Sequence, residues 1–394
     1  MYYVKNWEVM AKGKIVVFVG THRAFTEPQT KAIDAFCANY DAVVICDHTS
    51  GYYGEYKICP AIVLQQYTID RKPWISDLAI HIGEVSAAEY AWNFPTKETW
   101  RVSEDGEIRD PYSKLTNVFQ MPEEFFFSSY STDKNASYHN LFDTMKATID
   151  AVYEKLPDLP FSNIWNVSQI SKRIPAGSLL HISSSNTRRC WNMFPMTKGV
   201  ESAANVGCCG IDGCTSSLLG ASIVSPNRLC FLVTGDLAFF YDLNSLGNRH
   251  VGNNVRILLV NNGIGAEFKL KTNNCYAFGD DANSFMAASG HFGSQSAELV
   301  KHFAEDLGFM YLTASNKEEY LQVLDAFVNP QIGDKPIIFE VFTNHENEND
   351  ALLKMKNIVV DSSQKSKELI DSLKAKTKNV LGERLSGHVK SLFK

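Results

Sequence analysis

Arg228-Leu229-Cys230-Phe231-Leu232-Val233-Thr234-Gly235-Asp236-Leu237, followed one crossover later by the apolar run 255–260 and then Asn261-Asn262-Gly263, is the stretch whose reading decides the fold. Each apolar run has strand length, and a helix-period segment reaching Leu246 separates them. Short apolar runs flanking a helix argue for buried parallel strands joined by a right-handed crossover. Asp236 and Asn262 then emerge together at the carboxyl ends of neighbouring strands, the edge at which open α/β sheets bind ligands. A hard cation such as Mg²⁺ takes oxygen donors in near-octahedral array and is commonly shared with phosphate oxygens. An Asp carboxylate, an Asn carbonyl and a nearby main-chain carbonyl supply such a set. The helix opening after Asp236 adds unpaired N–H groups and a positive dipole end, both favourable to a diphosphate. Taken separately, a turn Asp capping a helix and an Asn-Gly turn explain the two motifs. Their order and spacing together favour the metal-diphosphate reading.

Working outward, strand-like and helix-like stretches alternate over much of the chain. Residues 14–19 read as a strand, Gly20-Thr21-His22 as its turn, 27–40 as a helix, and 43–47 and 78–82 as further strands. This alternation predicts a small Rossmann-like domain over residues 1–155. Gly20 and Gly83 stand at strand ends without opening a full G-x-G-x-x-G, so they read as turns and not as a nucleotide loop. Leu156-Pro157-Asp158-Leu159-Pro160 reads as a linker, because its prolines block helix propagation. A second domain is expected over residues 161–345. It holds a helix ending near Pro175, a strand over 178–183, the Gly-rich loop 208–213, a small-residue helix over 214–221, the Asp236 crossover, a helix over 296–307 and a last strand over 336–342. The predicted fold class is α/β: two Rossmann-like domains, each a parallel sheet flanked by helices, with a C-terminal helical tail.

That tail, residues 346–394, is rich in Lys, as in Lys374-Ala375-Lys376-Thr377-Lys378, with Leu369, Ile370, Leu373, Val380 and Leu381 at near-helical spacing. An amphipathic helix is expected there. Packing on its own protein, docking on a partner subunit and lying on a membrane surface are its three readings, the first being the usual outcome.

Composition excludes several classes. The chain has 394 residues, 45% of them hydrophobic, enough for two cored domains. A net charge of −6 gives no hint of nucleic-acid binding, and no apolar run is long enough to span a membrane. Met1-Tyr2-Tyr3-Val4-Lys5 does not open a signal peptide, so the expected compartment is the cytoplasm. Nine cysteines, spread through strand-like segments, fit free thiols better than a disulfide framework. Cys208, Cys209 and Cys214 lack the second pair that a closed zinc site needs.

Asn205-Val206-Gly207-Cys208-Cys209-Gly210-Ile211-Asp212-Gly213 and Gly235-Asp236-Leu237-Ala238-Phe239-Phe240-Tyr241-Asp242-Leu243-Asn244 resemble segments of the 2-succinyl-5-enolpyruvyl-6-hydroxy-3-cyclohexene-1-carboxylate synthase family. The order Gly-Asp-x, crossover, Asn-Asn is similar to the signature of thiamine-diphosphate enzymes at large. Ser184-Ser185-Asn186-Thr187-Arg188-Arg189 resembles the stretch where the family carries a Ser and an Arg, four residues apart, for substrate carboxylates. Residues 100–111 resemble the end of its middle domain, and the resemblance covers residues 10–345.

The resemblance implies thiamine diphosphate and Mg²⁺ as cofactors, with Asp236, Asn262 and the carbonyl of Ile264 as the metal set. Gly210, Ile211, Asp212, Gly213, Gly235, Leu237, Gly265, Glu267 and Phe268 would line the cofactor, although an ordinary helix start also explains Glu267 and Phe268. Ser185 and Arg189 would meet a substrate carboxylate. Such a cofactor supplies carbanion stabilisation while the protein supplies binding, orientation and electrostatics. The implied activity is that of a transferase or lyase, decarboxylating a 2-oxo acid and joining the remainder to a carbonyl acceptor. The family places an Arg where Val206 stands, and valine makes no bidentate contact with a carboxylate. A substrate pair other than 2-oxoglutarate and isochorismate is therefore expected.

Three-domain members of the family begin with a pyrimidine-binding domain that carries the activating Glu, and the residues before Lys14 are too few for one. The implied enzyme is a hetero-oligomer, two copies of each chain, with that Glu on the partner and no catalytic residue assigned here. This chain would be the diphosphate-binding subunit of a carboligase. A 2-oxo-acid decarboxylase subunit and a non-catalytic module that keeps the cofactor fold are the alternatives.

Overall fold

The structure is a computed structural model that describes residues 13–86, 88, 94–130, 140–207, 210–285 and 296–359. Residues 15–19, Ile-Val-Val-Phe-Val, form the fully buried strand β1 (Ile15–Val19). Such a run, apolar on both faces, suits only a parallel strand covered on both sides. β1 lies between β2 (Val43–Ile45) and β4 (Ser76–Ile82), paired in parallel with each. β3 (Lys57–Ile58), β5 (Thr96–Ser103) and β6 (Leu115–Gln120) complete a six-stranded sheet of order β3-β2-β1-β4-β5-β6. Its first crossover is the expected helix Glu27–Tyr40, opened by a reciprocal Thr26–Gln29 capping box with Pro28 in the first turn. β5 and β6 escape the sequence reading because polar residues fill most of TKETWRVS and half of LTNVFQ.

The second sheet holds β7 (Leu179–Ile182), β8 (Glu201–Ala203), β9 (Cys230–Gly235), β10 (Val255–Asn261), β11 (Met310–Ala314) and β12 (Ile337–Phe342) in the order β11-β12-β10-β9-β7-β8. Every pairing in both sheets is parallel. From β7 the chain moves outward to β8 and then returns to lay β9 on the other flank of β7. The β7–β9 seam is therefore a topological switch point, where the following loops diverge and leave a crevice. The helix expected to run from Asp236 to Leu246 is interrupted. It spans Asp236–Tyr241, and a 3₁₀ turn covers Leu243–Gly247. Asp242 lies between them, and its carboxylate accepts hydrogen bonds from the Ser216 N–H at 2.6 Å and the Ser216 hydroxyl at 2.8 Å.

One apolar cluster runs from Val16 and Phe18 of the first sheet through Trp165 and Trp191 to Phe339 of the second. His48, after β2, fastens the two halves: its Nε2 lies 2.8 Å from the Trp191 carbonyl and 2.9 Å from that of Phe194. Two acceptors on one ring nitrogen require that nitrogen to carry the proton. Burial lowers the His48 pKa to about 4, so it donates as a neutral imidazole. Tyr53 and Tyr153 add hydroxyl donations to the carbonyls of Val200 and Met193. Of the stretch read as a tail, the helix His345–Lys356 buries Ala351, Leu352 and Met355, and Gln66 of the first half donates to the Met355 carbonyl at 2.6 Å. Residues 360–394, with the expected amphipathic repeat, lie outside the described residues. Among the described residues no helix is long and apolar enough to cross a membrane.

Phe339 sits in β12 between Leu258 of β10 and Leu312 of β11, fully buried against the rings of Tyr320 and Phe327. Phe339→Ala removes that volume from a rigid sheet. It should cost about 3–5 kcal/mol in a urea unfolding titration; a loss under about 1 kcal/mol would contradict this placement of β12.

Candidate functional site

Parallel register decides what meets at the carboxyl edge of the second sheet. Gly235 pairs with Val260 and Ile182 with Val233, which brings Asp236, the Asn261-Asn262 turn and the serines after β7 to one rim. Ser183 donates its hydroxyl to Thr234 Oγ1 at 2.9 Å, stitching the switch-point strands together just beneath that rim. Asp236 is 1% exposed. Its Oδ1 accepts from the Leu237 N–H at 2.8 Å and its Oδ2 from the Gly265 N–H at 3.4 Å. Asn262 Oδ1 accepts from the N–H groups of Ile264 at 3.3 Å and Ala266 at 3.1 Å. Both candidate ligands thus grip the loop 262–266. Gly263 (φ 78°) and Gly265 (φ 55°) give that loop the left-handed turns it needs.

Open space lies beside this rim. A Cβ added at Gly235 would meet nothing within 4 Å, whereas one at Gly210 would press on Asp212 Oδ1 at 2.9 Å. The half-buried loop residues Gly210, Ile211 and Gly213 and the exposed Asp212 lead from β8 into the helix Cys214–Val224, which carries no side-chain cap at Gly213. Asn205 pins the loop by donating Nδ2 to the Asp212 carbonyl at 3.2 Å. Cys208 and Cys209 lie outside the described residues, and burial raises the thiol pKa of Cys214. Asp236–Tyr241 is only six residues long, so its dipole contributes less than a full helix would. Phe268 is exposed beside Glu267 on the 3₁₀ turn Ala266–Lys269.

Ser185 holds φ 60° and ψ −125°, an uncommon conformation for a residue with a Cβ, at the turn from β7 into the helix Asn186–Trp191. Arg189 on that helix meets Glu267 as a two-pronged pair, Nη1 to Oε2 and Nη2 to Oε1, each 3.0 Å. The sequence reading sent these two residues to different tasks, substrate and cofactor. The structure joins them.

Two acids that the sequence reading passed over stand behind the rim. Glu340 lies fully buried in β12, accepting from Asn261 Nδ2 at 2.7 Å and from the Tyr311 hydroxyl at 2.8 Å. Burial holds its carboxyl above the ordinary range, and the negative charge of Asp236 adds to this. A carboxylate in the middle of Ile-Ile-Phe-Glu-Val-Phe was the available signal. Glu348, on the helix His345–Lys356, accepts from the Asn163 N–H and the Thr343 hydroxyl, each at 2.9 Å. Burial pushes its pKa up to about 7, against the lowering effect of those hydrogen bonds and one from Asn186. Nothing in HENENDALLKMK distinguishes it from the solvated acids around it.

Asp236 and the 262–266 loop meet on one rim at a switch point, and carboxylate, amide and carbonyl oxygens such as those of Asp236, Asn262 and Ile264 are the kind an oxygen-seeking cation takes. No family model matches the chain. Among curated proteins, it is 32% identical over 275 residues to the 2-succinyl-5-enolpyruvyl-6-hydroxy-3-cyclohexene-1-carboxylate synthase of Phocaeicola vulgatus, a match covering 69% of this chain and 47% of that protein. The enzymes of the same name from Bacteroides fragilis and Bacteroides thetaiotaomicron are 31% identical over 278 and 279 residues, 70% of this chain and 47% of theirs. The chain belongs to the thiamine-diphosphate-dependent enzyme family. Within that family it is a homologue of the 2-succinyl-5-enolpyruvyl-6-hydroxy-3-cyclohexene-1-carboxylate synthases, and its match spans about half of their length.

Glu348 makes stability depend on pH. The unfolded chain releases this proton near the ordinary value of 4.5, the folded chain only near 7. Folding stability is therefore greatest below about pH 4.5 as far as this group is concerned, and falls as pH rises to about 7, by up to about 3 kcal/mol. Glu348→Gln should flatten the slope of unfolding free energy against pH across that window. An unchanged slope would show that Glu348 titrates normally.

Proposed function

We propose that the chain forms the diphosphate-binding wall of a thiamine-diphosphate- and Mg²⁺-dependent enzyme that decarboxylates a 2-oxo acid and joins the remainder to a carbonyl acceptor. The observation that carries this reading is Asp236, a buried carboxylate at the carboxyl end of β9 beside the β7–β9 switch point, with open space at Gly235. The cofactor, when bound, supplies a sink for the carbanion left by decarboxylation. The chain's own residues hold and orient it. In this reading Asp236, Asn262 and the Ile264 carbonyl would hold a cation shared with the diphosphate. Asn262 Oδ1 already receives two N–H groups, so the cation would compete with them or turn the amide. Gly213 and Gly235 would let phosphate oxygens approach the main chain, Gly210, Ile211, Asp212, Leu237 and Gly265 would frame the cradle, and Phe268 would line the pocket over the reacting end once a partner covers it.

A single wall leaves the aminopyrimidine side to be completed. In our reading a pyrimidine-binding domain on a separate chain carries the activating Glu, in a hetero-oligomer with two copies of each chain. Proton transfer at the aminopyrimidine needs a carboxylic acid within hydrogen-bond reach and a water-poor cleft. Exposed Phe268, Tyr276, Phe278 and Phe285, which follow β10 in sequence, supply apolar surface for such a partner to cover. The cytoplasm is the proposed compartment, in keeping with the free thiols Cys37, Cys46, Cys59, Cys190, Cys214, Cys230 and Cys275.

Asp236→Ala should abolish most Mg²⁺-dependent affinity for thiamine diphosphate in titration calorimetry, performed with any partner chain present, since the diphosphate loses its bridging cation. Equal affinity in both proteins would discard the site. Carbon dioxide release from 2-oxo acids at about 1 s⁻¹ or faster by this chain alone would discard the two-chain arrangement.

A further inference from the structure

The Arg189–Glu267 pair crosses the crevice. Arg189 rises from the helix after β7, Glu267 from the 3₁₀ turn after β10, and β9 with Asp236 at its end lies between those two strands. The bridge therefore arches over the edge where Asp236 emerges. Its geometry is bidentate, and the two side chains are 11% and 27% exposed, so the guanidinium is largely withdrawn from water. A two-pronged carboxylate is what a guanidinium of this shape prefers to hold. Glu267 has taken the place that an incoming carboxylate would occupy.

We propose that Glu267 is a built-in counter-ion that sets charge selectivity at this crevice. With Glu267 in place, Arg189 is already neutralised, and an anionic substrate must displace a tethered carboxylate to reach it. The tether gives Glu267 a high effective concentration, so a free carboxylate competes poorly. The ligand facing Arg189 is then an uncharged carbonyl compound, such as an aldehyde or a sugar-like ketone, with no carboxylate on that side. Neighbouring charges leave this balance in place. Lys269 on the same turn is held by the Gly279 carbonyl and Asp280, and buried Arg188 lies one residue before Arg189 and has interactions of its own. Removing Glu267 would take from the Arg189 guanidinium the carboxylate it holds at both prongs, a change that favours an incoming anion there.

The inference rests on the crevice being the substrate site, and its test reads binding separately from cofactor chemistry. Glutarate, an unreactive dicarboxylate, is titrated calorimetrically into the full chain, with and without Mg²⁺ and thiamine diphosphate. Glu267→Gln should bind glutarate at least about tenfold more tightly than wild type. Adding Arg189→Met should erase the gain. Glu267→Asp, which keeps the charge but shortens its reach, should give a smaller gain and serves where the Gln variant folds poorly, as read by thermal unfolding. Equal glutarate affinity in wild type and both single variants would overturn the proposal, as would a gain that survives loss of Arg189. A wild type that fails to bind the cofactor while the glutarate pattern appears would sink the functional reading and leave the counter-ion standing.

Discussion

A buried carboxylate at the end of a parallel strand is the constraint around which the second sheet is arranged. Asp236 cannot sit 1% exposed without donors, and the two N–H groups it holds come from its own helix and from the loop after the neighbouring strand. That arrangement requires β9 and β10 to be adjacent and parallel and the 262–266 loop to turn back, which the left-handed Gly263 and Gly265 permit. Stripping either condition away would strand a charge in low dielectric, at a cost several times that of an ordinary lost hydrogen bond. The sheet's order and the loop's shape are in this sense consequences of one acid.

The same rim collects further acids behind it. Glu340 and Glu348 both lie buried close enough to Asp236 for its charge to help raise their pKa values, with desolvation the larger cause in each. Each keeps hydrogen-bond donors, Asn261 and Tyr311 for the first, the Asn163 N–H and Thr343 for the second. Three acids around one edge repel one another, and a divalent cation beside Asp236 would relieve that repulsion.

The first sheet contributes no residue to this rim among those described above, yet the second sheet depends on it. His48, Tyr53, Tyr153 and Gln66 donate to main-chain carbonyls of residues 191–200 and 355, and the apolar cluster is continuous between the halves. Helix Asn186–Trp191, which carries Arg189, ends at the carbonyls that His48 holds. The position of one wall of the crevice therefore depends on the packing of the first sheet against the second.

Sequence alone determined the α/β class, the crossover from β9 to β10 and the emergence of Asp236 and Asn262 at one edge, because apolar runs of strand length and their spacing are local properties. It also led to the thiamine-diphosphate family, through motifs that hold together as contiguous words. Strands β5 and β6 were illegible, since their polar residues mimic loop composition, and the break at Asp242 was hidden because Ser216, which satisfies it, is far away in the chain. Only the tertiary structure set Arg189 against Glu267 and buried Glu348 beneath the rim. These are pairings across separate elements, and a side chain's partner, unlike its periodicity, is decided by which strands become neighbours.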